Sequence, residues 1–398
     1  MQGEGVIFII LQRRTGGEEM KITRIEILPV SIPIRSPKRV AFGLFDMRAY
    51  VFVKVYTDEG VVGVGETSPW IPETRESQED IIPVIEKWLG PAIIEEDPFE
   101  IQKIWKIMER IPGRVAAKGA IDMALYDILG KALGLPVYRL LGGLSVKRLP
   151  LASIVGLDEP DKMAEDAFSQ INAYQVKGLR LKLGSTIRED EARFRAVREA
   201  VGMDVSLRID LNGHYNSSEA VKLIRRLEDC DLTLVEQPVP WHDIQGLKRV
   251  NESVDTLIQP DESYYTCWDL SHLMVLGAAS VLGLKMVRPG GFTSNRKVIE
   301  MAELLNIPCY INSAGEMGVA KAAALHFAFH HNNIKFPCEI NLYQESEEDM
   351  IEEAFETEEG YALAPKGPGL GVTLDEKRLH KFLGDIKVCS EKRPIVTA

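Results

Sequence analysis

The chain has 398 residues, of which 45% are hydrophobic and 27% charged, a composition typical of globular proteins and not of disordered or fibrous ones. Forty-seven basic against 59 acidic residues give a net charge of −12. This charge argues against a broad surface for nucleic-acid phosphates and favours a small-molecule partner. The length suits one closed α/β barrel with a smaller domain as well as two or three average domains.

The N-terminal run and the cysteines bear on where the protein works. Residues 6–11 form a hydrophobic run that is too short to span a membrane and short even for the core of a signal peptide. A polar stretch follows, and we interpret residues 1–19 as a possible extension outside the fold. The five cysteines are scattered and form no CxxC pair, which favours reduced thiols. We therefore expect a cytoplasmic protein with no membrane partner.

The first part of the chain, residues 20–145, predicts an α+β domain. Residues 21–32 predict a strand, and residues 50–65 predict a hairpin. From residue 79 to about residue 134 the hydrophobic period becomes helical. Strands followed by a run of helices are typical of an α+β domain.

Residues 146–365 alternate short hydrophobic runs with amphipathic segments, which is the signature of βαβ units. Eight of the runs predict strands, at residues 150–155, 179–183, 205–211, 232–236, 257–261, 281–287, 309–312 and 336–340. Eight parallel strands with helical connections predict a TIM-like barrel, in which catalytic groups lie at the C-terminal ends of the strands. The turn-rich residues 366–398 are expected to leave the barrel and return towards the first domain.

Five charged residues interrupt the predicted barrel strands at similar intervals. Lys182, Asp210, Glu236, Asp261 and Lys285 follow one another after 28, 26, 25 and 24 residues. One strand, one helix and two loops need about that many residues, so each charge should lie at a similar height on the next strand. A buried strand has little structural use for a charge. We therefore expect the five side chains to converge on one site.

The three acids in the middle of this series form an all-oxygen ligand set, which suits a hard cation such as Mg²⁺. Without a cation, the cluster should raise the pKa of at least one carboxylate. Asn212 follows Asp210 by two residues and points to the same side if the strand continues, so it is a candidate to support the site.

The two lysines lie on the second and sixth predicted strands, half the circumference of the barrel apart, and are expected to face each other across the metal. An amine on either side of one carbon atom allows proton removal from one face and return to the other, while the cation stabilises charge on a substrate carboxylate. Arg180 precedes Lys182 by two residues, and its fixed positive charge should favour the neutral amine of that neighbour.

At this point the chain resembles the enolase superfamily, and within it the muconate-lactonizing-enzyme subgroup of the mandelate racemase/muconate lactonizing enzyme family. The resemblance covers residues 21 to about 385 and rests on Lys182, the three acids and the KxxRxGG run from Lys285 to Gly291. It implies an α/β fold, a modified TIM barrel with an N-terminal α+β capping domain. It also implies one Mg²⁺ ion and an enolate formed by removing the proton beside a carboxylate.

Two features depart from the resemblance or refine it. The subgroup usually has lysine, any residue, lysine on the second strand, and Arg180 takes the first place here. Mandelate-type sites carry a histidine from the seventh strand, whereas this chain has Glu316 shortly after that strand, similar to a glutamate of succinylbenzoate-synthase and N-acylamino-acid-racemase relatives. We expect Arg180, Asn212, Glu316 and Glu339 to contact substrate, although Glu339 could instead pair with a cation at the rim.

The sequence thus predicts a Mg²⁺-dependent isomerase that abstracts the α-proton of a small carboxylate substrate, with Lys182 and Lys285 as base and conjugate acid. A racemase or epimerase of an amino-acid derivative or dipeptide follows most directly. A muconate-type cycloisomerase or a dehydratase would use the same residues, and a barrel that binds Mg²⁺ and a ligand without turnover is a third alternative. Loops near residues 41–47 and 67–72 are expected to select the substrate, and a homo-oligomer is expected.

Overall fold

The computed structural model describes residues 19–40, 43–342 and 349–395. Residues 1–18 of the predicted extension and residues 41–42 of a predicted specificity loop lie outside this part of the chain. The strands are β1 (Ile22–Val40), β2 (Gly43–Thr57), β3 (Val62–Thr67), β4 (Arg148–Pro150), β5 (Ala152–Val155), β6 (Gly178–Lys182), β7 (Ser206–Asp210), β8 (Leu232–Glu236), β9 (Leu257–Gln259), β10 (Leu282–Leu284), β11 (Cys309–Ile311), β12 (Thr357–Glu358), β13 (Tyr361–Leu363) and β14 (Lys387–Cys389).

The helices alternate with the barrel strands and also form most of the second half of the capping domain. The α-helices are α1 (Ile71–Thr74), α2 (Gln78–Val84), α3 (Gly90–Ile93), α4 (Ile101–Met108), α5 (Val115–Leu133), α6 (Val137–Leu140), α7 (Pro160–Tyr174), α8 (Ile187–Val201), α9 (Ser217–Leu227), α10 (Ile244–Ser253), α11 (Cys267–Leu276), α12 (Gly291–Leu304), α13 (Gly318–His330) and α14 (Glu376–Phe382). A π-helical turn (Ile85–Leu89) joins α2 to α3, and a 3₁₀ turn (Glu228–Cys230) follows α9.

The N-terminal capping domain is an antiparallel sheet packed on the long helix α5. Strands β1, β2 and β3 are hydrogen-bonded in that order, and β14 pairs with the other edge of β1. Strand β3 approaches the helix closely, because a Cβ atom on Gly65 would lie only 1.8 Å from the carbonyl oxygen of Ala120. Only glycine fits there, and the short distance lets α5 bury nearly all of its side chains between the sheet and the barrel.

The barrel is closed by backbone hydrogen bonds. Strands β5 to β9 form one parallel sheet, and β10 pairs with β11 in parallel. Ser280 N donates to Ile258 O at 3.0 Å, which joins β9 to the segment before β10, and Glu339 N donates to Ile311 O at 2.8 Å. Ala152 N donates to Cys338 O at 2.8 Å and completes the ring. The predicted fold class is therefore confirmed.

The eighth barrel segment is shorter than predicted. Residues 336–340 form a single bridge, between Cys338 and Leu151, instead of a continuous strand. Pro337 explains the difference, because proline has no N–H to donate to a strand ladder.

The end of the chain leaves the barrel and runs back across the molecule. Strand β13 pairs with β4 just before the first barrel strand, and Gly369 N donates to Leu135 O at the end of α5. Strand β14 then joins the sheet of the capping domain, where Cys389 pairs with Ile25. Across the described residues, no helix combines the length and the hydrophobicity needed to cross a membrane.

Candidate active site

The strand register aligns three of the five predicted charges at one end of the barrel. Lys182, Asp210 and Glu236 are the last residues of β6, β7 and β8, and they are direct neighbours in the ladder. Asp261 comes two residues after β9, and Lys285 comes directly after β10. Parallel strands that end at the same height bring their last side chains together. The structure therefore places all five charges at the C-terminal end of the barrel, as the spacing predicts.

Each lysine is bonded to one end of the row of acids. Lys182 Nζ donates to Asp210 Oδ2 in a very short contact and lies 3.2 Å from Asn212 Oδ1. Lys285 Nζ lies 3.0 Å from the Asp261 carboxylate. The Lys182 side chain is 31% exposed and that of Lys285 only 2%. One amine is thus open to the mouth of the site, and the other is enclosed.

Arg180 lies one layer deeper in the barrel and bridges three carboxylates. Its guanidinium donates to both oxygens of Glu236 at 2.8 and 2.9 Å, to Asp210 Oδ2 at 3.3 Å and to Glu339 Oε1 at 2.7 Å. The other oxygen of Glu339 accepts from Arg208 at 3.2 Å. Arg180 is 4% exposed and Glu339 is fully buried. The ion pair of Glu339 therefore lies in the interior of the barrel and not at its rim.

Arg288 holds Asp261 from the far side, and sequence reasoning gave it no role beyond its place in the KxxRxGG run. Its guanidinium is fully buried and donates to Asp261 Oδ2 at 2.7 Å and to the main-chain oxygens of Asp261 and Tyr264 at 2.6 and 2.8 Å. Burial opposes ionisation of Asp261, but the charges of Arg288 and Lys285 outweigh it and lower the pKa of this carboxyl. Asp261 is therefore held as a carboxylate.

Two other acids of the site have raised pKa values. Burial, with added repulsion from Asp210 and Asp261, raises the pKa of Glu236 to about 7 although Arg180 opposes the shift. Glu262, which sequence reasoning passed over, has a pKa raised to about 8 by burial and by the same two acids. A raised carboxylate pKa is what an acid cluster without a cation is expected to show.

The donor chemistry of the site fits a hard divalent cation. Asp210, Glu236 and Asp261 supply only oxygen atoms, and the buried Oε2 of Glu262 has no hydrogen-bond partner among the described residues. In this conformation the acids are turned to their lysine and arginine partners, so no three acidic, histidine or cysteine side chains in the described ranges are grouped as ligands. A set of carboxylates with an unsatisfied oxygen fits a hard cation such as Mg²⁺ and does not fit metals that prefer nitrogen or sulfur ligands.

The segment after β11 borders the same acids. Asn312 Nδ2 donates to Glu236 Oε1 at 2.8 Å. Glu316 is 5% exposed, and its carboxylate accepts from Ser313 Oγ at 2.8 Å and from Ala314 N at 2.9 Å. Asn212, after β7, donates to Glu262 Oε1 at 2.8 Å. The predicted residues Asn212 and Glu316 thus lie in the loops around the acids, and Asn312 bonds directly to one of them.

Comparisons with known proteins identify the family of the chain. Residues 22–142 match the family model of the mandelate racemase/muconate lactonizing enzyme N-terminal domain, and residues 162–378 match that of the enolase C-terminal domain-like family. The chain is 34% identical to an N-succinyl-L-Arg/Lys racemase of Bacillus cereus, over 78% of this chain and 84% of the relative. A crystal structure of the Bacillus cereus racemase superposes with a TM-score of 0.87, covering 93% of this chain and all of the other.

Two more relatives act on different substrates. A hydrophobic dipeptide epimerase of Enterococcus faecalis is 37% identical over 79% of this chain and 89% of the relative. Its structure in complex with Mg and the dipeptide L-Leu-L-Tyr gives a TM-score of 0.83, covering 89% of this chain and 99% of the other. A chloromuconate cycloisomerase of Cupriavidus necator is 31% identical over 91% of this chain and 99% of the relative. The chain therefore belongs to the mandelate racemase/muconate lactonizing enzyme family of the enolase superfamily.

Proposed function

We propose that this protein is a Mg²⁺-dependent isomerase that removes and returns the α-proton of a carboxylate substrate, as a racemase or epimerase of an amino-acid derivative or dipeptide. The observation that carries the proposal is the position of the two lysines. Lys182 and Lys285 are hydrogen-bonded to opposite ends of one row of acids, at the ends of β6 and β10, which lie four strands apart around the barrel. The racemase and epimerase relatives support the same reaction class.

In the proposed reaction, the neutral amine of one lysine takes the α-proton from one face of the substrate. The ammonium of the other lysine gives a proton to the opposite face of the enolate, and the two exchange roles in the reverse direction. Mg²⁺, held by Asp210, Glu236 and Asp261, would stabilise negative charge on the substrate carboxylate. Asp210 and Asp261 orient the lysine amines through the bonds described above.

The remaining predicted site residues divide into two groups. We propose Asn212 and Glu316, which lie in loops at the open end of the barrel, as substrate contacts. Arg180 and Glu339 lie deeper, and their bonds support a role in holding Glu236 and Asp210 in place. In this proposal Arg180 affects the substrate through the acids that it bridges.

Hydrogen exchange tests the proposal directly. The enzyme is incubated in D₂O with Mg²⁺ and a panel of N-succinyl-L-lysine, N-succinyl-L-arginine and hydrophobic dipeptides, and NMR follows loss of the α-proton while polarimetry follows racemisation. We expect exchange with the wild type and with Lys248→Ala, a surface lysine on α10, but none with Lys182→Ala/Lys285→Ala. Undiminished exchange in the double variant would reject the proposal. Ligand binding without exchange would favour the non-catalytic alternative.

A cycloisomerase is the second candidate, because the chloromuconate cycloisomerase relative matches over nearly its whole length. In that reaction one lysine would handle the proton and the other would only stabilise the enolate. Product analysis separates the two, since a cycloisomerase interconverts a lactone and an open-chain diacid. Lactone turnover without racemisation of the amino-acid panel would establish this candidate.

We also propose that the protein is cytoplasmic and forms a symmetric homo-oligomer. Its five cysteines all fall within the described residues and form no disulfide, as expected in a reducing compartment. Trp268 and Val275 of α11 are 67% and 73% exposed, which suits a surface covered by another subunit. Light scattering during size exclusion tests the assembly, and a mass near the 44.5 kDa of one chain would contradict it.

A further inference from the structure

The segment between β11 and α13, residues 312–317, is held from two sides. We call it the β11 loop. On its inner side, Asn312 donates to the Glu236 carboxylate. On its outer side it contacts the capping domain, although that part of the chain is some 250 residues away in the sequence. The loop therefore joins the proposed metal ligands to the other domain.

The contacts on the outer side come from β2, β3 and the residue that follows β3. Tyr50 donates its hydroxyl to Gly315 O at 3.2 Å, and Ser68 Oγ lies 3.4 Å from Ala314 O. Gly315 has a φ of +76°, and a Cβ atom there would lie 1.8 Å from the Arg48 guanidinium. The backbone of the loop is thus packed directly against the side chains of the capping domain.

Glu66, the penultimate residue of β3, makes the shortest of these hydrogen bonds. Its Oε1 accepts from Met317 N at 2.6 Å and its Oε2 from Ala320 N at 3.0 Å. These are main-chain donors at the N-terminus of α13, a helix whose own N-cap residue, Met317, offers no side-chain acceptor. Glu66 therefore does for α13 what an N-cap side chain usually does, but from another domain.

The environment of Glu66 makes it an unusual choice for a purely structural contact. The side chain is fully buried, and burial raises its pKa to about 8 while the two amides oppose the shift. Two other acids, Asp349 and Glu316, raise its pKa further by repulsion, and Lys321 is 3.4 Å from Asp349. Burying a carboxylate among other acids is unfavourable unless its hydrogen bonds are needed.

We propose that Glu66 is a positioning residue for the active site. By capping α13 it fixes the β11 loop and, through Asn312, the orientation of the Glu236 carboxylate. The metal site is then correctly arranged only when the capping domain is packed against the β11 loop. This inference rests on the proposed function, because it takes Glu236 as a metal ligand.

The test measures Mg²⁺ affinity by isothermal titration calorimetry, which needs no turnover. Glu66→Gln keeps the shape of the side chain, but its NH₂ group cannot accept from an amide. We expect its Kd for Mg²⁺ to rise roughly five- to tenfold, the effect of losing one hydrogen bond worth about 1 kcal/mol. Tyr50→Phe removes only the hydroxyl that bonds Gly315 and should raise the Kd less.

Asp127→Asn is the matched control. Asp127 is also a fully buried carboxylate of the capping domain that accepts from two main-chain amides, those of Val64 and Leu370, and it pairs in addition with Lys131 at 2.6 Å; none of these bonds reaches the β11 loop. We expect it to lower the melting temperature and leave the Kd unchanged. The inference would be overturned if Glu66→Gln has the wild-type Kd for Mg²⁺, or if its Kd changes no more than that of Asp127→Asn.

The outcomes stay distinguishable if a variant or the proposed function fails. Should Glu66→Gln not fold, Glu66→Asp decides, because it keeps the acid but shortens the side chain that reaches Met317 and Ala320, and a wild-type Kd overturns the positioning role. Should wild-type enzyme bind Mg²⁺ but show no racemisation, the proposed function fails while the calorimetry still tests Glu66. A wild type that binds no Mg²⁺ would overturn both.

Discussion

Removing Arg180 should destabilise the barrel by an amount that the structure allows to be estimated. Arg180→Ala leaves Glu236 and Glu339 in the interior, both fully buried, without the cation that bridges them. Breaking a buried ion pair from one side costs about 3–5 kcal/mol. With an unfolding entropy of ~2.1 cal/mol/K per residue, 398 residues give ~0.8 kcal/mol/K, so the melting temperature should fall by about 4–6 °C.

Differential scanning calorimetry in EDTA measures this shift. Arg195→Ala is the control, because Arg195 also pairs with two acids, Glu191 and Asp229, but its side chain is 40% exposed. Exposed pairs contribute less than about 1 kcal/mol, so the control should shift by roughly 1 °C or less. Adding Mg²⁺ should reduce the deficit of Arg180→Ala, since the cation brings positive charge to Glu236. A shift no larger than that of the control would refute the reasoning.

Three further predictions concern catalysis, metal and pH. Lys182→Ala and Lys285→Ala should each lower kcat/KM by about 10²–10⁴-fold and remove deuterium exchange from opposite enantiomers; equal exchange of both enantiomers in either variant would contradict two bases. EDTA should abolish turnover and Mg²⁺ restore it, and a rate insensitive to the chelator would exclude the metal site. Burial lowers the pKa of His326 from 6.5 to about 4. As the pH falls, His326 is therefore protonated in the unfolded chain at a higher pH than in the folded protein. The free energy of unfolding should then decrease by roughly 3 kcal/mol between pH 6.5 and pH 4. Denaturant titrations across this range should show a shallower pH dependence in His326→Gln, and an unchanged dependence would reject this assignment.

The row of charges could be predicted from the sequence because a βα unit has a nearly constant length. Each unit returns the chain to the same height on the next strand, so regular spacing of Lys182, Asp210 and Glu236 implies neighbouring positions in the ladder. The predicted eighth strand, residues 336–340, is too long because the prediction follows the hydrophobic residues there and ignores Pro337, which cannot donate to a strand ladder. The missing N–H of one proline therefore limits this segment, and the hydrophobic pattern does not reveal it.

The bonds that cross the molecule could not be predicted. Arg180 and Glu339 meet across the barrel although 159 residues separate them, and Glu66 lies 251 residues from Met317. No periodic pattern predicts such pairs, because they depend on which side chains face one another across the closed barrel and between the two domains. Glu262 was overlooked for a different reason: next to Asp261 it looked like an ordinary loop acid, and only its burial and its raised pKa single it out.

The pairing of β14 with β1 has a consequence for how the chain matures during synthesis. The first strand begins at Ile22, but its edge partner, Lys387–Cys389, leaves the ribosome about 365 residues later (387 − 22). At ~5–20 residues per second, roughly 20–70 s separate the two. During that interval one flank of β1 is an open strand edge, which other nascent chains could pair with. The expected signs are dependence on chaperones during expression and loss of yield when β14 is deleted.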